Sequence, residues 1–410
     1  MSIKIELMSK SELADESFNI VINGLKPKET YRVEMYLTDY YCINAPTFLA
    51  YDRLWISTTT FVSHKNGIID ISQTPSCSGS YEGISTMGLF FNAKPLTNER
   101  KKLPNSLSEI PLLDHFFVDI KIMQGNTVIA ERIFTRRYMS SQISHQDIYG
   151  KYFQGRLFYD KKAINAPALI IVSGSEGRIE KAQNIAQLLS SRGYICLAVA
   201  YFGLEGLPKH LECIPLECLV EAKNYLRQHP QVDSERIGIY GRSKGAELVL
   251  AEESIYNDVQ CLVLNSPSDV VYEGIKGKWN SHTSSWTHLQ KELTYQKFQL
   301  RDYLFSKLLK KSFPKDWSAR IDISRLSSPI LLLGSIVDEI WDASSAIDDI
   351  VSHYKGHHIT FKKYHETGHM LTVAYQPNHR YRRDWRLLMK ESEDSWLATI
   401  HFFDRHLKKQ

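Results

Sequence analysis

Apolar and polar residues alternate in short runs over the first 140 residues: IKIEL (3–7), FNIVI (18–22), YRVEMYL (31–37), GIIDIS (67–72) and FFVDIKI (116–122). A period of two matches the pleat of a half-buried strand, so each run is a predicted β-strand. Turn-formers separate them, Gly-Leu-Lys-Pro at 24–27 and Gln-Gly-Asn at 124–126. The second predicts a hairpin from FFVDIKIM into TVIAERIF. Short antiparallel strands with turns between them predict an all-β sandwich of immunoglobulin-like type.

After about residue 150 the pattern changes to continuous apolar runs, ALIIVSG (168–174), YICLAVAY (194–201), IGIYG (237–241), CLVLNS (261–266) and ILLLGS (330–335), with a last strand expected at HITFKKY (358–364). Helix-period stretches lie between them, among them IEKAQNIAQLLSSRG (179–193) and LECLVEAKNYLRQHP (216–230). Such alternation predicts an α/β fold, a mostly parallel sheet with helices on both faces. The joint falls in RRYMSSQISHQDIYGKY (136–152), a polar stretch without clear periodicity, which divides the chain into domains of 1–140 and 141–410. Residues 275–320, rich in Lys, Trp and Ser and helical at LRDYLFSKLLKK (300–311), are expected to be an insertion over the sheet end.

Composition adds exclusions. With 43% apolar and 23% charged residues the chain is an ordinary globular one, neither disordered nor coiled coil. A net charge of +4 over 410 residues gives poor support for nucleic acid or a membrane surface as partner. No apolar run approaches the ~20 residues of a spanning helix. The opening MSIKIELMSK reads as a strand rather than a signal peptide, and the closing HLKKQ is no peroxisomal tripeptide. Six scattered cysteines without paired spacing suggest reduced thiols and a cytoplasmic protein.

The sharpest chemical signal is Gly241-Arg242-Ser243-Lys244-Gly245, a GxSxG pentapeptide between a strand pattern and a helix pattern. That setting holds a serine on a strained turn too crowded for side chains beside it, which is why glycines flank it. A serine needs a base, and in α/β-hydrolases an acid and then a histidine follow it in chain order. Asp338 comes just after ILLLGS and His369 in a loop after HITFKKY, so all three stand at C-terminal strand ends, where ligands gather in open sheets. Asp342, Glu339 and Asp322 are rival acids. His365-Glu366-Thr367-Gly368-His369 also spells HExxH, but that zinc motif requires a helix, which Gly368 and the preceding strand oppose. The oxyanion of an acyl transfer needs donors, expected from the backbone N–H of Lys244 and of Ser175 or Glu176 in the loop Ser173-Gly174-Ser175-Glu176-Gly177. This chemistry requires no metal and no cofactor.

Several stretches resemble the acyl-CoA thioesterases related to bile acid-CoA:amino acid N-acyltransferase. They are SYEGISTMGLFFNAKP (80–95), LAVAYFGLEGLPKHLECIPLE (197–217), HPQVDSERIGIYGRSKGAEL (229–248), NSPSDVVYEGI (265–275), DEIW (338–341) and YHETGH (364–369). The resemblance implies a β-sandwich before an α/β-hydrolase domain, with nucleophile at Ser243, acid at Asp338, base at His369 and long-chain acyl-CoA as substrate class. The family's amino-acid acyltransferases typically carry cysteine at the nucleophile, so Ser243 favours hydrolysis over amide formation. The sequence departs from relatives at Arg178, Ser335 and Val337. CoA phosphates call for basic residues at the mouth, with Lys209, Lys276 and Lys278 as candidates. The alternatives are the N-acyltransferase, a carboxylesterase or dienelactone-hydrolase-like enzyme, and a binding module keeping an idle hydrolase domain. Acyl chain length and oligomeric state are not legible.

Overall fold

The computed structural model describes residues 2–45, 53–97, 102–297, 315–378 and 384–409. The chain forms two compact units, one of Met1–Leu103, Pro111–Ser141 and Val373–Met389, the other of Pro104–Ile110, Gln142–Thr372 and Lys390–Gln410.

The first unit is β-rich, with two antiparallel sheets. The larger runs in the order Ser76–Gly79, Trp55–Val62, Thr30–Thr38, His115–Gln124 and Thr127–Arg137, with Lys94–Pro95 also paired to Trp55–Val62. The smaller joins Lys4–Ser9, Phe18–Asn23 and Ile69–Asp70. Alternation drives burial as expected: Tyr31, Val33, Met35 and Leu37 point inward from Thr30–Thr38 while their neighbours are half-exposed. The expected hairpin forms with Gly125 and Asn126 as its two-residue loop, since Gln124 pairs with Thr127.

Two features differ from the sequence expectation. GIIDIS yields only Ile69–Asp70, because the Asp70 carboxylate accepts from the Ser72 N–H (3.0 Å) and hydroxyl (2.6 Å) and turns the chain. Strand Trp55–Val62 carried no apolar alternation because its inward residues include Ser57 and Thr59, both buried.

The second unit holds an eight-stranded sheet in the order Ile143–Tyr149, Gln154–Asp160, Ile195–Ala200, Ala166–Val172, Val232–Arg242, Cys261–Asn265, Ile330–Ser335 and Ile359–Tyr364. The first two strands pair antiparallel and the remaining six run parallel. Central strands such as Ala166–Val172 and Ile195–Ala200 are buried at every residue, as a sheet covered on both faces requires. Helices Glu180–Ser190, Glu217–Gln228, Lys244–Tyr256 and Ala343–His353 connect the parallel strands. Part of the polar joint is itself a strand: Ile143–Tyr149 lies at the sheet edge, where exposed His145 and Gln146 are tolerated. A helix over Trp385–Leu407 went unread in the sequence.

The described part of the 275–320 segment is mainly β, with Glu273–Lys276 paired to Trp279–Ser284, and Trp286–His288 joined to Ile214–Pro215 and Lys291–Glu292. The helix expected over 300–311 lies outside the described residues. All six cysteines are free. No helix among the described residues is long and apolar enough to cross a membrane.

A buried charge cluster ties helix Glu217–Gln228 to helix Lys244–Tyr256. Lys223 Nζ contacts Glu252 (2.7 Å), Glu253 (2.8 Å) and Asp258. Burial works against its charge, but the Glu252 and Glu253 carboxylates outweigh that and hold its pKa above the usual lysine range. Removing one partner of such an array strands buried charge. Lys223→Ala is therefore expected to lower the unfolding free energy by about 3–5 kcal/mol in urea titration.

Candidate active site

Strand Val232–Arg242 ends directly before Ser243, and helix Lys244–Tyr256 starts directly after it. Ser243 adopts φ 56° and ψ −125°, a conformation that L-residues rarely hold. Its N–H donates to Asn265 O (2.8 Å), and its carbonyl accepts from the N–H of Ala246 (2.8 Å) and Glu247 (3.1 Å).

The two glycines are needed for space. A Cβ on Gly245 would lie 2.1 Å from Ser173 O, and one on Gly241 would lie 2.7 Å from Gly245 O and 2.9 Å from Ala246 Cα. The helix N-terminus thus packs straight onto the loop after strand Ala166–Val172, and only a residue without a side chain permits it.

His369 lies in the loop after strand Ile359–Tyr364. Its Nε2 is 2.8 Å from Ser243 Oγ, and its Nδ1 is 2.8 and 3.0 Å from the two Asp338 oxygens. A carboxylate only accepts, so in the neutral ring Nδ1 carries the proton and the Nε2 lone pair faces the serine hydroxyl. Asp338 Oδ1 also accepts from the N–H of Ile340 (2.9 Å) and Trp341 (3.2 Å). The Asp338 side chain is 1% and the His369 side chain 6% exposed, so the chain of bonds is shielded from water. Trp341 meets the imidazole edge-on at 5.2 Å, and Tyr272 stacks on Trp341 at 5.5 Å. The structure brings the three residues together from positions far apart in the sequence. Such an arrangement can move a proton off the hydroxyl and make its oxygen nucleophilic.

The rival acids have other partners. Glu339 accepts from the His369 N–H (3.2 Å), Asp342 caps helix Ala343–His353 through the Ser345 N–H (2.9 Å), and Asp322 accepts from Ser324 N–H (3.0 Å). The HExxH segment is a loop, not a helix. The N–H groups of His365, Glu366 and Thr367 all donate to the Glu391 carboxylate at 2.8–2.9 Å, and Gly368 has φ 59°. Glu339 and Glu391 escaped the sequence reading because no local pattern marks a carboxylate that binds a distant backbone.

Of the expected oxyanion donors, the Lys244 N–H opens a helix, where N–H groups have no intrahelical acceptor. Ser175 is exposed on the facing loop, and Glu176 beside it is half-buried. Glu176 lies 3.7 Å from Lys181 and 3.8 Å from Arg242. Burial alone would raise its pKa, but those two cations outweigh it and hold the carboxyl below its usual range. Lys244 points its own side chain inward, 2.6 Å from Glu247, which also accepts from Trp286 Nε1 (2.8 Å). Lys209, Lys276 and Lys278 are exposed, and Lys276 pairs with Glu212 at 3.3 Å.

A serine on a strand–turn–helix corner, hydrogen-bonded to a histidine from a later loop, belongs to the α/β-hydrolase class. Within it, the chain belongs to the acyl-CoA thioester hydrolase/BAAT family. The model of that family's N-terminal region matches residues 15–149, and the model of its C-terminal part matches residues 214–409. Among its relatives, acyl-coenzyme A thioesterase 1 of Mus musculus is 26% identical over 88% of this chain and 84% of its own length. Acyl-coenzyme A thioesterase 5 of Mus musculus is 24% identical over 96% and 94%. Acyl-coenzyme A amino acid N-acyltransferase 2 of Mus musculus is 27% identical over 66% of this chain and 63% of its own length.

The glycine geometry makes a direct prediction. Gly245→Ala must push its methyl into Ser173 O, and an overpacking cost of about 3 kcal/mol is expected in denaturant titration, with hydrolytic activity lost alongside.

Proposed function

We propose that this chain hydrolyses acyl-CoA thioesters to free fatty acid and CoA through an acyl-serine intermediate. The observation that carries the reading is the hydrogen-bonded series Asp338–His369–Ser243. His369 Nε2 takes the Ser243 proton as Oγ attacks the thioester carbonyl, and Asp338 steadies the imidazolium that forms. Backbone N–H groups at Lys244 and at Ser175 or Glu176 stabilise the oxyanion. The C–S bond breaks, and the imidazolium proton goes to the departing CoA thiolate. A water, deprotonated by the same nitrogen, then attacks the acyl-serine carbonyl. Carboxylic acid leaves and the hydroxyl is restored.

In this reading residues 141–410 carry the chemistry and residues 1–140 form an immunoglobulin-like sandwich. The free cysteines fit a cytoplasmic setting. The kinship to an N-acyltransferase supports a second reading, in which an amine replaces water in the last step.

The test is a panel of acyl-CoAs with free thiol as readout. Ser243→Ala is expected to lower kcat at least about 1,000-fold without loss of fold. Asp338→Asn, which removes the partner fixing the ring's tautomer, is expected to lower kcat about 10,000-fold. Thiol release unaffected by Ser243→Ala contradicts the proposal. Addition of glycine or taurine separates the two readings: free acid alone supports hydrolysis, and acyl-amide supports transfer.

A further inference from the structure

The loop facing the serine is held at the carbonyl of a single residue, Gly174. This glycine lies against the serine: a methyl group built on it would sit 3.1 Å from Ser243 Cβ, 3.4 Å from Ser243 Oγ and 3.2 Å from Glu176 Oε2. Its carbonyl accepts from the Tyr201 hydroxyl (2.5 Å) and the Gly177 N–H (3.0 Å). The Tyr201 hydroxyl also reaches Ser173 O (3.2 Å), and the Tyr201 N–H donates to Gly177 O (3.0 Å).

In a trans peptide the C=O and N–H point in opposite directions, and no cis bond occurs among the described residues. Fixing the Gly174 carbonyl toward Tyr201 therefore turns the Ser175 N–H away from it, on the one residue of 173–177 that is exposed. Tyr201 itself is wholly buried beside the loop, at the end of strand Ile195–Ala200. Burial raises its pKa well above the usual tyrosine range, so the hydroxyl stays a donor at every working pH.

We propose that Tyr201 is a positioning residue: its hydroxyl, bound to the Gly174 carbonyl of the Gly174–Ser175 peptide, aims the Ser175 N–H at the oxyanion formed during attack by Ser243. This deepens the acyl-serine reading and rests on it. Tyr201 touches no reacting atom. It acts by denying the loop the peptide flip that would point a carbonyl oxygen at developing negative charge.

Tyr201→Phe keeps the ring and removes only the hydroxyl. With acyl-CoA substrate, kcat is expected to fall about tenfold with KM within about twofold, because an oxyanion donor acts in the transition state and not in the ground state. Two inhibitors separate aiming from plain structural support. An acyl trifluoromethyl ketone adds to the serine as a tetrahedral oxyanion and is expected to bind about tenfold more weakly to the variant. A non-hydrolysable acyl-CoA thioether forms no oxyanion and is expected to bind unchanged.

Both affinities are read on the folded fraction, isolated by size exclusion and checked by circular dichroism, which serves should Tyr201→Phe fold poorly. Equal weakening of both inhibitors, or no change in kcat and ketone affinity, overturns the proposal. Ser243→Ala in the same assay keeps the two claims apart. If it is inactive while Tyr201→Phe behaves as wild type, only the positioning role falls. If it remains active, the acyl-serine reading falls and this proposal with it.

Discussion

The approach of one helix end to one loop governs the rest of the site. Gly245 lies so close to Ser173 O that not even a methyl group fits between them, and Gly241 faces the first turn of the helix just as tightly. The chain must therefore reverse within the single residue Ser243, at φ 56°. A non-glycine residue held there costs on the order of 1–3 kcal/mol. The strain is offset by the Ser243 N–H bond to Asn265 O and by the helix that starts on the Ser243 carbonyl. Its chemical return is a hydroxyl fixed at the C-terminal edge of a parallel sheet, beside the first N–H of a helix.

Charge is then distributed around that hydroxyl by backbone bonds more than by salt bridges. Asp338 is held by two N–H groups, the His369 backbone by Glu339, and the three residues of 365–367 by Glu391. Each carboxylate is satisfied by donors that cannot dissociate, which keeps the imidazole at one angle without adding a competing cation beside it. The Tyr272–Trp341 stack covers the ring edge. Below the serine, Lys244 and Glu247 form a buried pair. Burial pushes the lysine's pKa down and the glutamate's up, while their mutual hydrogen bond resists both shifts. Trp286 Nε1 on the same carboxylate joins the segment after Glu273 to the helix that carries the nucleophile.

Much of the α/β unit was legible because its central strands are buried on both faces and read as unbroken apolar runs; Ser243 and Asp338 each follow such a run, while His369 follows the half-exposed edge strand Ile359–Tyr364. The β-rich unit was less so. Trp55–Val62 hides its inward face behind Ser57 and Thr59, and the Asp70 turn cut short a run whose alternation looked sound. Strand Ile143–Tyr149 was obscured by its edge position, where polar residues cost little. Contacts such as Glu391 with 365–367 and Tyr201 with Gly174 depend on chain segments brought together only by folding, and no local spacing announces them. The GxSxG spacing was informative for the opposite reason, since its glycines answer a clash that is local to the turn.

The central claim is that the Ser243 oxygen is the atom that accepts the acyl group. The most direct measurement is rapid acid quench of the protein during turnover of a long-chain acyl-CoA, followed by mass spectrometry of its peptides. The account predicts an acyl adduct on the peptide containing Ser243, transient in the wild type and accumulating when His369 is replaced in a variant loaded with an activated acyl ester. An acyl group found on another residue, or turnover with no adduct at any quench time together with full activity in Ser243→Ala, would contradict it.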